Sequence, residues 1–510
     1  MKNYIVYLLL GGIFLIFLGC NNELEAAQNL EGKTYYVDAE NGLDSNDGLS
    51  QEKAWKSIEK VNSVVFQPAD KILFRAGCKW IGQLRPQGSG TEGFPICIDK
   101  YGEGSLPCIS QGELSGIVLL LLNQEQWEIR NLEIDGGTPK PSNHMGGIQV
   151  QATTAGKILN HIVISDCVVR NIGGSIKLYE SCAIWVGVPG WDADYGLTTS
   201  FNDVRIENNQ VYNSDRNGIL VWTTAAPGKN SQFQPGLIPS SNVIIKNNKL
   251  EDIGGDAILV LGSNRPLIEG NVVRRACLKT GAPEYGSDYN PSSAAIWLHH
   301  CEGGIMQYNE VYDCLKQELN NDGMAYDFDF NCNNNILQYN FSCNNAGGFL
   351  LIMNSATNNI VRYNVSENDK DHVLFCVGNK YDMNKIYNNT FYINSGASYI
   401  VPNAWFINNI FMADIEASMS VQNPELGVFK NNCYAGNWNV KPEDRYAIND
   451  NPLLVNPGNG TGDRESLKGY TLSAESPCVA TGDMIEDNGG IDILGNTVPQ
   501  GTSPNVGAVQ

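Results

Sequence analysis

The sequence predicts an all-β protein wound as a parallel β-helix, a β-solenoid with an N-terminal cap and an atypical C-terminal tail. Three observations predict it. From about residue 129 to residue 434 the chain repeats one short pattern: an apolar residue, two or three polar ones, an Asn or Asp, then another apolar residue. Examples are Ile206-Glu207-Asn208-Asn209-Gln210-Val211, Ile268-Glu269-Gly270-Asn271-Val272 and Val361-Arg362-Tyr363-Asn364. Where the copies lie closest, the key Asn residues are 23, 24, 25, 20 and 23 apart, a spacing suited to one solenoid coil. Strand-like alternation flanks each Asn without helical period or heptads, which excludes the α-solenoids of similar repeat length. The Asn column itself reads as structural, since Asn tolerates left-handed backbone, bonds its own backbone and can form ladders between stacked rungs.

The elements follow in order. Met1-Lys2-Asn3-Tyr4, an apolar run Ile5 to Leu18 and then Gly19-Cys20 have the layout of a bacterial lipoprotein signal over residues 1–20, with Cys20 the lipidated residue. The run is short for a spanning helix, which needs about 20 apolar residues. Residues 21–32, mostly polar and acidic, read as a tether, so a lipid-anchored body at a bacterial membrane, the outer one for choice, is expected. Residues 33–110 are read as a cap with the first coils, containing a strand at Tyr35-Tyr36-Val37-Asp38 and a short amphipathic helix over Ala54 to Val61. Residues 111–435 are the β-helix proper. After Asn432 the pattern fades, and residues 436–510 are read as a terminal cap continuous with the solenoid.

The run from Tyr36 through Asp44-Ser45-Asn46-Asp47-Gly48, Trp55-Lys56-Ser57-Ile58, Pro68-Ala69-Asp70-Lys71-Ile72 and Gly88-Ser89-Gly90 to Tyr101-Gly102 resembles the opening of secreted right-handed parallel β-helix proteins of the pectate-lyase-like superfamily. Similar proteins are common as carbohydrate-active lipoproteins of Bacteroidetes. The resemblance implies a right-handed, single-stranded solenoid. It leaves the chemistry open, because that superfamily holds lyases, hydrolases, epimerases and binding proteins.

Charge narrows the classes. With 34 Lys and Arg against 55 Asp and Glu, the formal charge is −21, so a nucleic-acid backbone is repelled. The 14 Cys show no Cys-x-x-Cys and the five His no metal spacing. Most Cys are expected as small buried apolar residues, with room for one or two disulfides.

Loop lengths locate the site. Spacing widens to 43 between Asp166 and Asn209, 39 to Asn248, 38 between Asn271 and Asn309, and 31 to Asn340. The extra chain, at about 188–202, 223–240, 277–293 and 315–322, flanks a second strand series: Ile184–Gly187, Ile219–Trp222, Ile258–Leu261, Ile296–His299 and Tyr326–Asp329. Loops on both edges of one rigid face make a cleft. Two carboxylates cannot both face a dry core, so Asp327 and Asp329 point outward while Tyr326, Phe328 and Phe330 point in. The same parity puts Trp185, Trp222, Trp297 and His299 on the cleft floor, with His299 beside Asp329 and Trp297 beside Asp327 on adjacent rungs. Of the neighbours His299 and His300, alternation sends one inward.

Aromatic platforms with convergent carboxylates suit sugars, and three readings stand at this point. A glycoside hydrolase would divide acid and base or nucleophile roles between Asp327 and Asp329, with His299 tuning them and Trp185, Trp222, Trp297, Asp256 and Lys279 contacting substrate. Asp256 reads more readily as a turn residue than as a substrate contact. A polysaccharide lyase would use Asp322, Asp327 and Asp329 as Ca²⁺ ligands and take its base from Lys279, Arg274, Arg275 or His299. A non-catalytic glycan-binding protein would need the Trp residues but not the paired Asp. The acidic balance favours the hydrolase, acting as a monomer on a polysaccharide or oligosaccharide with no firmly implied cofactor.

Overall fold

Each apolar–Asn–apolar copy becomes one corner of a coil, and stacking the coils pairs every strand with its counterpart one turn away. The computed structural model describes residues 30–141, 143–189, 198–223, 238–281, 292–378, 383–459 and 464–510. Their strands form three parallel sheets of 15, 13 and 12 strands, each running in chain order along the stack. Typical registers place Ile206 against Ile245, and Ile219 against Ile258 and then Ile296. Inward side chains of all three sheets therefore meet in one continuous apolar column. Each buried Ile, Leu or Val contributes about 1.5–3 kcal/mol. No helix among the described residues is long and apolar enough to cross a membrane. The signal-like segment, Cys20 and most of the tether lie outside the described residues.

The first sheet begins within the cap, where Thr34–Val37 pairs with Lys71–Arg75, whereas the third begins only at Gly116–Leu122. Between them the helix Ile58–Asn62, with the Ser57 hydroxyl accepting from the Lys60 N–H, turns Ile58 and Val61 onto the open end of the core. This supplies the end closure a solenoid requires.

The recurring Asn residues form a buried ladder. From Asn209 a ladder runs through Asn248, Asn271, Asn309, Asn340, Asn364, Asn389, Asn409 and Asn432, in which each Asn after the first accepts, on Oδ1, the backbone N–H and Nδ2–H of the Asn before it at 2.8–3.1 Å. The left-handed turn falls one residue earlier, at Asn208, Asn247, Gly270, Tyr308, Tyr339 and Tyr363, all with positive φ. Asn propensity alone places that geometry on the ladder Asn itself. Asp166 likewise holds the left-handed place, and Cys167 occupies the ladder position, its N–H donating to Asn209 Oδ1 at 3.0 Å. All 13 described Cys are free thiols, 12 of them buried, so they serve as core residues.

The C-terminal region differs from a simple end cap. Leu467, Tyr470, Ile493, Val498, Ala508 and Val509 pack along the flank of the middle coils against Tyr312, Tyr339, Phe341, Tyr363, Tyr387 and Tyr392. Tyr470 donates to Glu367 at 2.7 Å, and Arg464 donates to the carbonyls of Tyr339 and Ile493, both at 3.1 Å. A strap over an external aromatic stripe is the better description.

Candidate active site

The third sheet carries the strands Cys182–Gly187, Asn217–Trp222, Ile258–Leu261, Ile296–His299, Tyr326–Phe328 and Gly348–Ile352 side by side. Register sets Trp297 against Asp327 and then Leu351, on the face opposite the core column that holds Tyr326. The predicted neighbours are neighbours: His299 Nε2 also lies 3.8 Å from Asp329 Oδ2. Here a pocket of ≈ 130 Å³ opens, lined by Ser292–Ala294, Trp297, Asp322, Met324, Asp327, Asp329, Phe330, Leu351 and Met353. Phe330 lines it instead of pointing inward. The strand ends at Phe328 and the chain turns at Asp329–Phe330, so alternation no longer applies.

Three carboxyl groups face this small space, and the fourth, Asp256, lies buried behind it. Burial first, and then the charges of Asp322 and Asp256, push Asp329 up to about 7 against the hydrogen bond from the Phe330 N–H, 2.6 Å away. Burial, reinforced by Asp256, raises Asp322 to about 6 although a Ser292 hydrogen bond opposes it. Asp327 is raised well above the carboxylate range, by burial first and then by Asp329, Asp322 and Asp256. It is only 5% exposed, and its Oδ1 has no hydrogen-bond partner. Burial of this kind favours the protonated carboxyl, a hydrogen-bond donor in waiting.

His299 and His300 do not split between the two faces. His300 adopts φ +51°, which ends the alternation and stacks its ring on His299 with centroids 4.4 Å apart. Asn331 Nδ2 lies 2.8 Å from His300 Nε2, and the two Nδ1 atoms lie 2.5 Å apart. Assigning tautomers from that donor order gives Asn331 to His300 Nε2, then His300 Nδ1–H to His299 Nδ1, which leaves His299 Nε2–H facing Asp329. Burial, then His300, lowers the His299 pKa well below its ordinary value, so the imidazole facing Asp329 is neutral.

The remaining nominated residues separate. Trp185 and Trp222 lie on the predicted face but are 1% and 2% exposed, stacked on each other at 5.5 Å within a cluster containing Leu220, Leu259 and Leu261. They underlie the site and are not open platforms as expected. Trp297 lines the pocket. Asp256 is neither a turn residue nor a substrate contact: fully buried, it accepts the Trp297 indole N–H at 3.1 Å and the Ala294 N–H at 3.3 Å, and lies 3.3 Å from Arg216. Lys279 lies 3.4 Å from Asp215 and does not line the pocket. Arg274 stacks over Tyr312, and Arg275 pairs with Glu251 and Asp252. None of the three lies where a lyase base is needed. Much of the expected wall chain, at 190–197, 224–237 and 282–291, lies outside the described residues.

Nor do Asp322, Asp327 and Asp329 converge as Ca²⁺ ligands, which would share an ion at about 2.3–2.6 Å. Among the described residues, the one trio of His, Cys, Asp or Glu with ligand atoms all within 4.8 Å of one another is Asp38, Glu40 and Cys78 in the cap. There Asp38 is already engaged by Arg75 and by the Glu40 and Asn41 N–H groups. A larger groove of ≈ 730 Å³ beside the first sheet holds none of the nominated residues. In it His161 sits between Asp203, at 2.8 Å, and Glu128, at 3.2 Å.

Sequence reasoning gave Asp322 no part in a hydrolase. It comes from a loop, where no strand parity marks its direction; only the loop's position ahead of Asp327 signalled it.

Comparison with known proteins agrees with the fold. A family model described as a right handed beta helix region matches residues 115–391. A lacto-N-biosidase of Bifidobacterium longum is 27% identical over 590 aligned positions, covering 95% of this chain and 37% of that protein. The chain thus spans little more than a third of that curated relative. The crystal structure of a GH136 lacto-N-biosidase from Eubacterium ramulus is 22% identical with a TM-score of 0.62, covering 84% of this chain and 69% of that one. A complex of XylC with xylose is 12% identical with a TM-score of 0.54, over 94% and 98% of the two chains.

Proposed function

The chain belongs to the right handed beta helix family, and from that premise we propose that it is a glycoside hydrolase acting on a neutral oligosaccharide or polysaccharide. The observation that carries this reading is the carboxyl cluster of Asp322, Asp327 and Asp329 in one pocket, with no Lys or Arg among its described lining residues. The lacto-N-biosidase named above supports both the reaction class and an oligosaccharide substrate.

Hydrolysis needs one carboxyl to protonate the leaving oxygen and another to act as base or nucleophile, the two flanking the scissile bond. Asp327 lies on the strand Tyr326–Phe328 and Asp329 immediately past its end, so both would approach a bound ring from the floor. Asp322 comes from the wall, so Asp322 with Asp329 makes the flanking pair. Raised to about 6 and about 7, they hold about one proton between them near neutral pH, which is the state that two-carboxyl chemistry requires. Protonated Asp327 donates to a sugar oxygen, Trp297 offers an apolar face to the ring, and neutral His299 orients Asp329. A uronate substrate would bring a negative charge into a pocket whose burial already resists ionisation of its own carboxyls, which disfavours elimination chemistry.

The soluble form lacking residues 1–20, incubated with neutral and uronate-containing glycans, is expected to release reducing ends from a neutral glycan without an unsaturated-uronate chromophore. EDTA should leave the rate unchanged. A chromophore that EDTA abolishes would replace this reading with a Ca²⁺-dependent lyase. Binding without turnover would leave a glycan-binding protein.

We also propose that Cys20 is lipidated and holds a monomeric body at a bacterial membrane, consistent with the signal-like segment Met1 to Cys20. Labelling of expressing cells with a fatty-acid analogue should mark the wild type and not Cys20→Ala.

A further inference from the structure

Behind the pocket lies a buried polar network that no step of the proposed reaction uses. Arg216 is 3% exposed and Asp256 fully buried, and they lie 3.3 Å apart on neighbouring coils. The guanidinium also donates to Ser293 Oγ at 3.1 Å and stacks over the Tyr179 ring at 4.5 Å. Asp256 Oδ1 accepts from the Ala294 N–H and the Trp297 indole, as described above. The Gly254-Gly255 preceding Asp256 is part of the same construction. A Cβ at Gly255 would sit 1.7 Å from Arg216 Nη1, so only glycine lets the guanidinium lie against the chain there.

Burying such a pair gains little stability over apolar residues of the same volume, because desolvation offsets the attraction. Its geometry has a different consequence. Its side chains reach Ser293, Ala294 and Trp297, residues that line the pocket, and Tyr179, which packs against the Trp cluster. We propose that Arg216 and Asp256 are positioning residues for the substrate pocket, locking the Trp297 indole and the Ser293–Ala294 wall in the arrangement that receives a sugar ring. The inference rests on the glycoside hydrolase reading for its substrate but not for its geometry.

The full soluble chain is labelled with 5-fluorotryptophan, and the Trp297 resonance among nine is identified by its loss in Trp297→Phe. The charge-neutral double variant Arg216→Met/Asp256→Leu replaces the pair by apolar residues and is expected to fold. It should broaden or split the Trp297 line while leaving the lines of the distant cap residues Trp55 and Trp80 unchanged. On the best glycan of the panel, KM should rise about tenfold with a smaller change in kcat, as expected when binding geometry is lost. A Trp297 line identical to wild type, or unchanged KM in an active enzyme, would show that the pair is only structural and overturn the inference. Should the wild type cleave no glycan, the fluorine signal alone decides the positioning role, and the failure falls on the hydrolase reading. Should the double variant lose its fold, Asp256→Asn is read by the same two criteria.

Discussion

Asp329 is held by the Phe330 N–H on one oxygen and faces His299 with the other, while burial and the charges of Asp322 and Asp256 favour its protonated form. Removing the ionisable proton while keeping the shape should therefore separate chemistry from folding. Asp329→Asn and Asp322→Asn are each expected to lower kcat about 10²–10⁴-fold, the range for loss of a general acid or base, with little loss of stability. A rate within threefold of wild type in either variant would remove that residue from the reaction. The raised pKa values also have a linkage consequence. Both groups bind their proton more tightly folded than unfolded, so their contribution to stability is complete below about pH 4 and is lost as pH rises through about 6 and about 7. Thermal unfolding across that window should show wild type losing stability relative to Asp329→Asn as pH increases; parallel curves would contradict the burial-driven shift. At this scale the sequence was informative where parity applied. Asp327 and Asp329 stood out as carboxylates in an apolar strand, and the pairings with Trp297 and His299 followed. Parity said nothing of Asp322 in a loop, of Phe330 past the strand end, or of how deeply Trp185 and Trp222 are buried.

Among the elements, the Asn ladder makes the sharpest energetic claim. Asn340 accepts both N–H groups of Asn309 and donates to the carbonyls of Met306 and Gln338 and to Asn364 Oδ1, all in a site closed to water. Asn340→Ala leaves several of those groups unpaired and should cost about 1–3 kcal/mol, read from urea unfolding, with the pocket residues untouched. A loss below about 0.5 kcal/mol would mean that the ladder is ornamental, since this is the range of ordinary surface substitutions. The repeat itself was plain in the sequence because a buried Asn demands a partner of its own kind at coil spacing. Its turn was misplaced by one residue because Tyr308, Tyr339 and Tyr363 take the left-handed position, an assignment propensity alone disfavours. Their rings stack coil upon coil at 5.1 Å and 6.1 Å, which accompanies that strain.

For the whole molecule, the same tyrosine stripe explains why the tail lies along the solenoid and not only across its end. An external column of aromatic rings is an exposed apolar surface that a soluble protein covers. Deleting residues 464–510 should uncover it, lowering the unfolding temperature and creating sites for an apolar dye; an unchanged melt without dye binding would show that the strap is dispensable. The parallel solenoid architecture was legible from repeat spacing. The strap was not, since its contacts join positions more than 100 residues apart, such as Tyr470 and Glu367, and carry no periodic signal.

The proposed hydrolysis differs from elimination in adding water across the glycosidic bond. Mass spectrometry of the products from a cleaved glycan decides between the two. Hydrolysis by the Asp322 and Asp329 pair predicts products that together exceed the substrate by one water, absent when either residue is Asn. Products that sum to the substrate mass, one of them unsaturated, would contradict it.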